Sequence, residues 1–348
     1  MIMKKQNLIN LVRYHAEKND EAFASEVAEI AKEFDAAGDE AVAQYLMELV
    51  SSANFYVPQS SNYKNLRFLK KVEYSSKQLL LPSIIEEDVM GITRAISNQA
   101  GLSKFLFYGA PGSGKTETAF QIARILNRDI LSVPFEQLVD SRLGETAKNV
   151  SLLFDEINHL SFKRVLILLD EIDALILDRI NRNDLREMGR VTSVFLKGMD
   201  SLNENVIVIA TTNLYDNLDK ALIRRFDATI SFDRYSREDL IDIADSFLTV
   251  TLKKAQNSRQ DMRLFNKILN NLEVIPYPGD LKQIIKTAVA FSDESNEYDY
   301  LRKIYLALNG NPDSIDIQKL KDSGYTTREI EILSRIPRSS VSRKLKEN

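Results

Sequence analysis

Apolar residues over the first fifty positions recur at the helical interval. Leu8, Leu11, Val12 and His15 form one such set, and Phe23, Val27, Ile30 and Phe34 a second. Ala37-Gly38-Asp39 interrupts the pattern as a helix stop followed by a new N-cap. Val42, Tyr45, Leu46 and Leu49 then place a third helix over about 39–52. Residues 1–54 are expected to be a helical bundle, either a docking module or a packing appendage. The stretch 55–81 reads as a linker, because FYVPQSSNYKNL is polar and broken by proline. Its second part, 67–81, has the pattern of a short strand or helix and carries Arg67, Lys70, Lys71 and Lys77.

The texture changes at Pro82. Short apolar runs now alternate with helical patterns: FLFYG (105–109), DILSVPF (129–135), VLILLDEI (165–172), VIVIATT (206–212) and ATISFD (228–233). Runs with so little polar alternation suit strands buried on both faces of a parallel sheet. Five strands with intervening helices predict an α/β domain over 82–234. Beyond Arg234 the strands stop, and 236–254, 259–271, 279–291 and 297–308 read as helices, a small all-α domain over 235–308. Residues 309–348 form a separate basic tail.

Composition narrows the class. With 44% hydrophobic and 28% charged residues, the chain is neither collagen-like nor wholly disordered. A net charge of −4 over 348 residues excludes a protein that coats polyanions with its whole surface. The charge is uneven, however: 1–54 hold 5 basic and 10 acidic residues, and 319–348 hold 8 basic and 4 acidic. The absence of cysteine excludes disulfides, thiolate metal sites and thiol nucleophiles. The two histidines, His15 and His159, read as surface or packing residues. No apolar stretch approaches the roughly 18 residues of a membrane span, and the N-terminus lacks the apolar core of a signal peptide. A cytoplasmic protein with no membrane partner is expected.

Four segments carry chemistry. Gly109-Ala110-Pro111-Gly112-Ser113-Gly114-Lys115-Thr116 fits G-x-x-x-x-G-K-[ST] between a strand and a helix. Glycines let backbone N–H groups wrap phosphates, and the helix beyond presents its positive end to them. Lys115 can reach the β- and γ-phosphates of ATP, and Thr116 can hold Mg²⁺. About fifty residues later a buried strand ends in Asp170 and Glu171, a metal carboxylate followed by a group able to orient and activate water. Ala210-Thr211-Thr212-Asn213 closes another strand, where the Asn213 amide is placed to touch the γ-phosphate or the water, or simply ends the strand. In LDKALIRRFD (218–227), Arg224 and Arg225 suit bidentate contact with transferring phosphate.

In order and spacing, these segments resemble the Walker A, Walker B, sensor 1 and arginine-finger elements of the AAA+ ATPase family. The resemblance covers about residues 82–305. It is nearest the branch that includes proteasomal ATPases, membrane-anchored AAA proteases, katanin and spastin. Leu143-Gly144-Glu145 and Lys148-Asn149-Val150 support it. It implies a P-loop NTPase sheet in the order 5-1-4-3-2, a helical lid, and a homo-hexameric ring. It also implies that Arg224 and Arg225 act on the nucleotide of a neighbouring subunit. Pro278-Gly279-Asp280-Leu281-Lys282 resembles the start of the sensor 2 helix without its arginine. Where related unfoldases carry an aromatic in the first pore loop, this chain has Arg142-Leu143-Gly144. Arg179, Arg182 and Arg186 fall in the second. These arginines either line a positive channel or pair with neighbouring carboxylates.

The tail GYTTREIEILSRIPRSSVSRKLKE (324–347) resembles a helix-turn-helix, with Thr326 or Thr327 capping one helix and Ser339 or Ser340 the other. Ile330, Leu333, Val341 and Leu345 supply a shared core, and Ser342, Arg343 and Lys346 are the candidate DNA contacts. The alternative is a helical pair that packs on the lid. The function expected is an ATP-driven ring that remodels or unfolds a protein partner recruited by the N-terminal bundle and serves a separate effector such as a protease. The alternative is a DNA-associated ATPase of transposition, replication or defence.

Overall fold

The computed structural model describes residues 5–17, 20–36, 39, 42–46, 66–73, 81–139, 144–160, 165–173, 185–255, 259–293, 295–310 and 315–347. The chain divides into two compact units, Met1–Leu66 and Arg67–Asn348.

In the first unit, α1 (Lys5–Ala16) packs on α2 (Asp20–Ala36). Val27, Ile30 and Ala31 of α2 are buried, and Asn10 donates to Glu26 at 3.2 Å. Residues 42–46 are helical, within the expected third helix; the rest of that helix lies outside the described residues. The periodicity of α1 does not translate into burial: Leu8, Ile9 and Val12 are 52%, 56% and 63% exposed.

The second unit opens with β1 (Lys70–Val72), α3 (Ser83–Ser97), β2 (Lys104–Tyr108), α4 (Lys115–Ile125) and β3 (Asp129–Ser132). It continues with α5 (Glu145–Asn158), β4 (Val165–Leu169), α6 (Leu185–Ser201), β5 (Ile207–Thr212), α7 (Lys220–Ile223) and β6 (Ala228–Ser231). The sheet runs β1-β3-β4-β5-β2-β6. Its five parallel strands keep the expected order, with Phe105 opposite both Ile209 and Ala228. A sixth strand, β1, adds antiparallel to β3 at the edge, inside 67–81, the part of the linker segment read as a short strand or helix. Three residues are too few to show a period, and exposed Lys70 and Lys71 suit an edge that must not pair further. The central β4 and β5 are buried at every position. On one face Phe105, Phe107, Leu166, Leu168, Ile207 and Ile209 pack with Ile85 and Val89 of α3 and Ile122 of α4. Each such side chain contributes about 1.5–3 kcal/mol on burial. Helices α5 and α6 pack together, with Phe154 edge-on to Phe195 at 5.3 Å.

The lid comprises α8 (Arg237–Leu252), α9 (Met262–Asn270), α10 (Pro278–Ala290) and α11 (Asp299–Leu308). The tail forms α12 (Ile317–Asp322), α13 (Thr327–Ser334) and α14 (Arg338–Glu347). The tail has no core of its own. Leu320, Tyr325, Ile330, Leu333 and Val341 join one apolar cluster with Leu248, Phe265, Ile285 and Tyr300 of the lid. Two ionic contacts pin the junction: Arg335 to buried Asp299 at 2.7 Å and Lys267 to Glu329 at 2.7 Å. Thr326 caps α13 in a reciprocal box with Glu329. Helix α14 begins directly after Pro337, so Ser339 and Ser340 lie in its first turn and not at its cap. Among the described residues no helix is long and apolar enough to cross a membrane.

Candidate active site

The loop from Gly109 to Gly114 leaves the end of β2 and enters α4. Gly109 has φ 143°, and a Cβ there would stand 2.9 Å from Asp233 Oδ1 and 3.1 Å from the Phe232 carbonyl carbon. Only glycine satisfies both the backbone conformation and the approach of the neighbouring strand. The first turn of α4 has no side-chain cap, which leaves its N–H groups available to an anion.

Lys115 is 7% exposed, and its ammonium folds back on its own loop. It donates to the carbonyls of Gly109 and Ala110 and to Asn213 Oδ1, each at 2.8 Å, and more weakly to Ser113 Oγ at 3.4 Å. Burial lowers its pKa, and the carboxylates of Asp233, Asp170, Asp173 and Glu171 oppose that shift. A buried cation surrounded by four acids, held by carbonyl oxygens, is poised to exchange those oxygens for phosphate.

Strand β4 delivers the acids. Asp170 Oδ1 accepts from Thr116 Oγ1 at 2.8 Å and from Thr211 Oγ1 at 2.6 Å. Glu171 follows at φ 54°, a left-handed conformation that costs a non-glycine residue on the order of 1 kcal/mol. Thr211 braces it from β5: its Oγ1 accepts the Glu171 N–H at 2.8 Å and its carbonyl accepts the Ile172 N–H at 3.0 Å. Glu171 is exposed, on the solvent side of a strand that is otherwise buried. Asp173 Oδ1 is buried with no partner among the described residues. Asn213 ends β5, and the next turn is clamped by Tyr215 stacked on Tyr108 at 3.9 Å.

The structure separates the two arginines. Arg225 forms a two-pronged pair with Asp200, both contacts at 3.2 Å, and donates to the Ala221 carbonyl at 2.7 Å. Arg224 is exposed and pairs with no side chain among the described residues. The segment bearing both is anchored by buried Phe226 and by Asp227, which accepts the N–H groups of Ser103 and Lys104 at 2.8 Å.

Three residues the motifs did not single out, Asp233, Tyr235 and Tyr277, complete the phosphate loop, together with Gly279 of the helix start that resembles sensor 2. Asp233 accepts from Ala110 N at 2.7 Å and from the Tyr277 hydroxyl at 3.2 Å. Tyr235 donates to the Ser113 carbonyl at 2.6 Å, and burial raises its pKa. Gly279 N donates to the Gly112 carbonyl at 2.8 Å. The signal for these was the run closing the last strand and the Pro278-Gly279 start of α10. Of the first pore loop only Gly144 is described; Arg142 and Leu143, with Arg179 and Arg182, lie outside the described residues, as does the side chain of Arg186.

A parallel sheet with this order, a glycine-rich loop cradling a lysine, and acids at the end of a neighbouring strand define a P-loop nucleotide-binding fold. The family model of ATPases associated with various cellular activities (AAA) matches residues 105–234, so the chain carries an AAA ATPase domain. The chain is 38% identical over 135 residues to an uncharacterised AAA family ATPase of Sinorhizobium fredii, covering 38% of this chain and 39% of that protein. It is 36% identical over 161 residues to the proteasome-activating nucleotidase of Methanoregula boonei, covering 44% and 36%. The matched stretch thus spans well under half the length of either relative. Among solved structures, a chain of the E. coli HORMA:CdnC:Trip13 complex superposes with a TM-score of 0.54 at 21% identity, over 70% of this chain and 95% of that one. That likeness is one of fold.

Proposed function

We propose that this chain hydrolyses ATP to ADP and phosphate as a subunit of a hexameric ring that remodels a protein partner. The observation that carries the reading is the pair of hydrogen bonds, Lys115 to Asn213 and Thr116 to Asp170, that ties the start of α4 to the ends of β5 and β4. In this reading, Gly109, Ala110, Pro111, Gly112, Ser113 and Gly114 wrap the phosphates, and Lys115 leaves its loop carbonyls for the β- and γ-oxygens. The Thr116 hydroxyl and Asp170 carboxylate, 2.8 Å apart, are a hard oxygen pair that fits Mg²⁺. The ion supplies neutralisation of charge on the transferring group. Glu171, held by Thr211, orients the attacking water and takes its proton. Asn213 reads the γ-phosphate end of the site. Arg224 reaches the nucleotide of the next subunit, and Arg225 holds the segment that presents it.

The proteasome-activating relative supports a polypeptide client. The exposed apolar positions Leu8, Ile9 and Val12 suit the first unit to docking that client or an effector such as a protease. The test is steady-state ATPase with and without an unfolded polypeptide, together with mass measurement in ATP. Glu171→Gln is expected to keep nucleotide binding and hexamer formation and to lose about 10²–10⁴-fold in turnover. Wild-type turnover in that variant refutes the assignment of the base, and no stimulation by polypeptide refutes the client.

A further inference from the structure

The tail is a feature that the nucleotide site does not absorb. Helices α12, α13 and α14 pack through Leu320, Tyr325, Ile330, Leu333 and Val341, which continue the apolar cluster of the lid. Between α13 and α14 lie three residues, Arg335, Ile336 and Pro337, with Arg335 left-handed at φ 59°. This is the turn length of a helix-turn-helix. The tail is held to the lid by Asp299 and Lys267, and α14 packs mainly on α12 and α13.

The two faces of α14 differ in kind. Val341 is buried and Leu345 half-buried, one turn apart on the inner side. Ser339, Arg343 and Lys346 recur at i, i+4 and i+7 on the opposite side, and all three are exposed. Arg338 and Lys344 are exposed beside them, and Arg328 is exposed in the first turn of α13. Of the acids of α13, Glu329 is held by Lys267 and the Thr326 N–H, and Glu331 accepts the Arg338 N–H at 3.0 Å at the start of α14. A protein-binding face would place apolar or aromatic groups at its centre and few lysines. This face has none of the former, only serine, arginine and lysine. Arginine reads guanine edges, serine hydrogen-bonds to any base, and lysine neutralises phosphate.

We infer that α14 is a duplex-DNA recognition helix whose outer face, Ser339, Arg343 and Lys346, enters the major groove with half-buried Ser342 at its edge. Arg328, Arg338 and Lys344 contact the flanking phosphates. This inference is independent of the ATPase reading, because binding can be measured without nucleotide.

The experiment is fluorescence anisotropy of the full chain with a labelled mixed-sequence duplex of about 30 base pairs, from 50 to 200 mM salt. Labelled single strand, duplex RNA and polyglutamate serve as competing probes. Wild type is expected to bind the duplex in preference to all three. Its log K should fall with log salt at a slope near −3 to −4, the mark of about four neutralised phosphates. Arg343→Gln with Lys346→Gln is expected to weaken binding at least tenfold and to flatten the slope by about 1, the share of Lys346, with melting temperature and ATPase unchanged. Arg338→Gln, on the rim, should flatten the slope by about 1 and provides a second arm should the double variant fold poorly. No duplex binding by wild type, equal binding by the variants, or preference for RNA, single strand or polyglutamate overturns the assignment.

Discussion

Replacing Gly279 with alanine should loosen the phosphate loop without removing any polar group. A Cβ on Gly279 would stand 2.8 Å from the Gly112 Cα and 3.1 Å from the Gly112 carbonyl oxygen. Both are backbone atoms and cannot swing aside. Carbon atoms prefer about 3.5–4.0 Å, so the first turn of α10 must withdraw by roughly 0.7 Å or more. The 2.8 Å hydrogen bond from Gly279 N to the Gly112 carbonyl then stretches beyond useful length, at a net cost of about 1 kcal/mol. Against this, alanine favours a helix over glycine by up to about 1 kcal/mol. Global stability should therefore hardly change, with the melting temperature within about 3 °C of wild type. Nucleotide affinity should change, because binding must now re-order a loop that the lid no longer holds. A cost of about 1 kcal/mol is about fivefold in Kd. The assay is titration of a fluorescent ATP analogue in the Glu171→Gln background, with thermal unfolding alongside. An unchanged Kd would show that the lid contact does not order the loop, and the reasoning would fail.

Three further outcomes follow from the geometry. Arg225→Ala and Asp200→Ala should each cost about 1 kcal/mol or less, because their pair is partly exposed. Arg224→Ala should leave melting unchanged and cut turnover on the order of 10³-fold. Mixing Arg224→Ala with Lys115→Ala subunits should restore part of the activity; no restoration would place Arg224 in cis. Glu329 is half-buried, which alone raises a carboxyl, but its bonds from Lys267 and Thr326 hold its pKa below the ordinary range. A depressed carboxylate stabilises the fold above its unfolded pKa and loses that contribution as pH falls through the native value. Glu329→Ala should therefore cost about 2 kcal/mol at neutral pH, and its deficit against wild type in urea unfolding should shrink below about pH 4. A deficit that persists undiminished would contradict the charge-assisted bond.

The parallel strands were legible in the sequence because burial on both faces writes an unbroken apolar run, as VLILL does in β4. The lid helices were legible because one face of each is buried and the other wet. The strand β1 was legible only as a short strand or helix within 67–81, since three residues at an edge carry no period to choose between the two. The solvent exposure of α1 was not legible: Leu8 and Val12 announce a helix face without saying whether anything covers it. At the site, the phosphate loop and the acids of β4 could be read because phosphate chemistry confines residue types to fixed spacings. Asp233 and Tyr235 could not, and Gly279 could be read only as part of a helix start, because their roles come from contacts 122 to 167 residues away in the chain, to Ala110, Ser113 and Gly112. The division of labour between Arg224 and Arg225 is likewise invisible in the dipeptide; it depends on Asp200, supplied by the end of α6.

Those long-range contacts have a further consequence. The phosphate loop meets the lid and the segment leading to it at three backbone atoms: Gly112 O through Gly279 N, Ser113 O through the Tyr235 hydroxyl, and Ala110 N through Asp233, itself bonded to Tyr277. The lid in turn holds the tail through Asp299–Arg335, Lys267–Glu329 and a shared apolar cluster. The tail junction is the stronger of the two, because it joins buried charge to a continuous core. The loop junction consists of single hydrogen bonds worth about 1 kcal/mol each. A change in lid position driven by nucleotide will therefore break contacts at the loop before it disturbs the tail, and the tail will travel with the lid as one body. Coupling between a ligand on α14 and nucleotide in the loop that is carried by those three bonds is worth up to about 3 kcal/mol, on the order of 10²-fold, and must be equal in both directions.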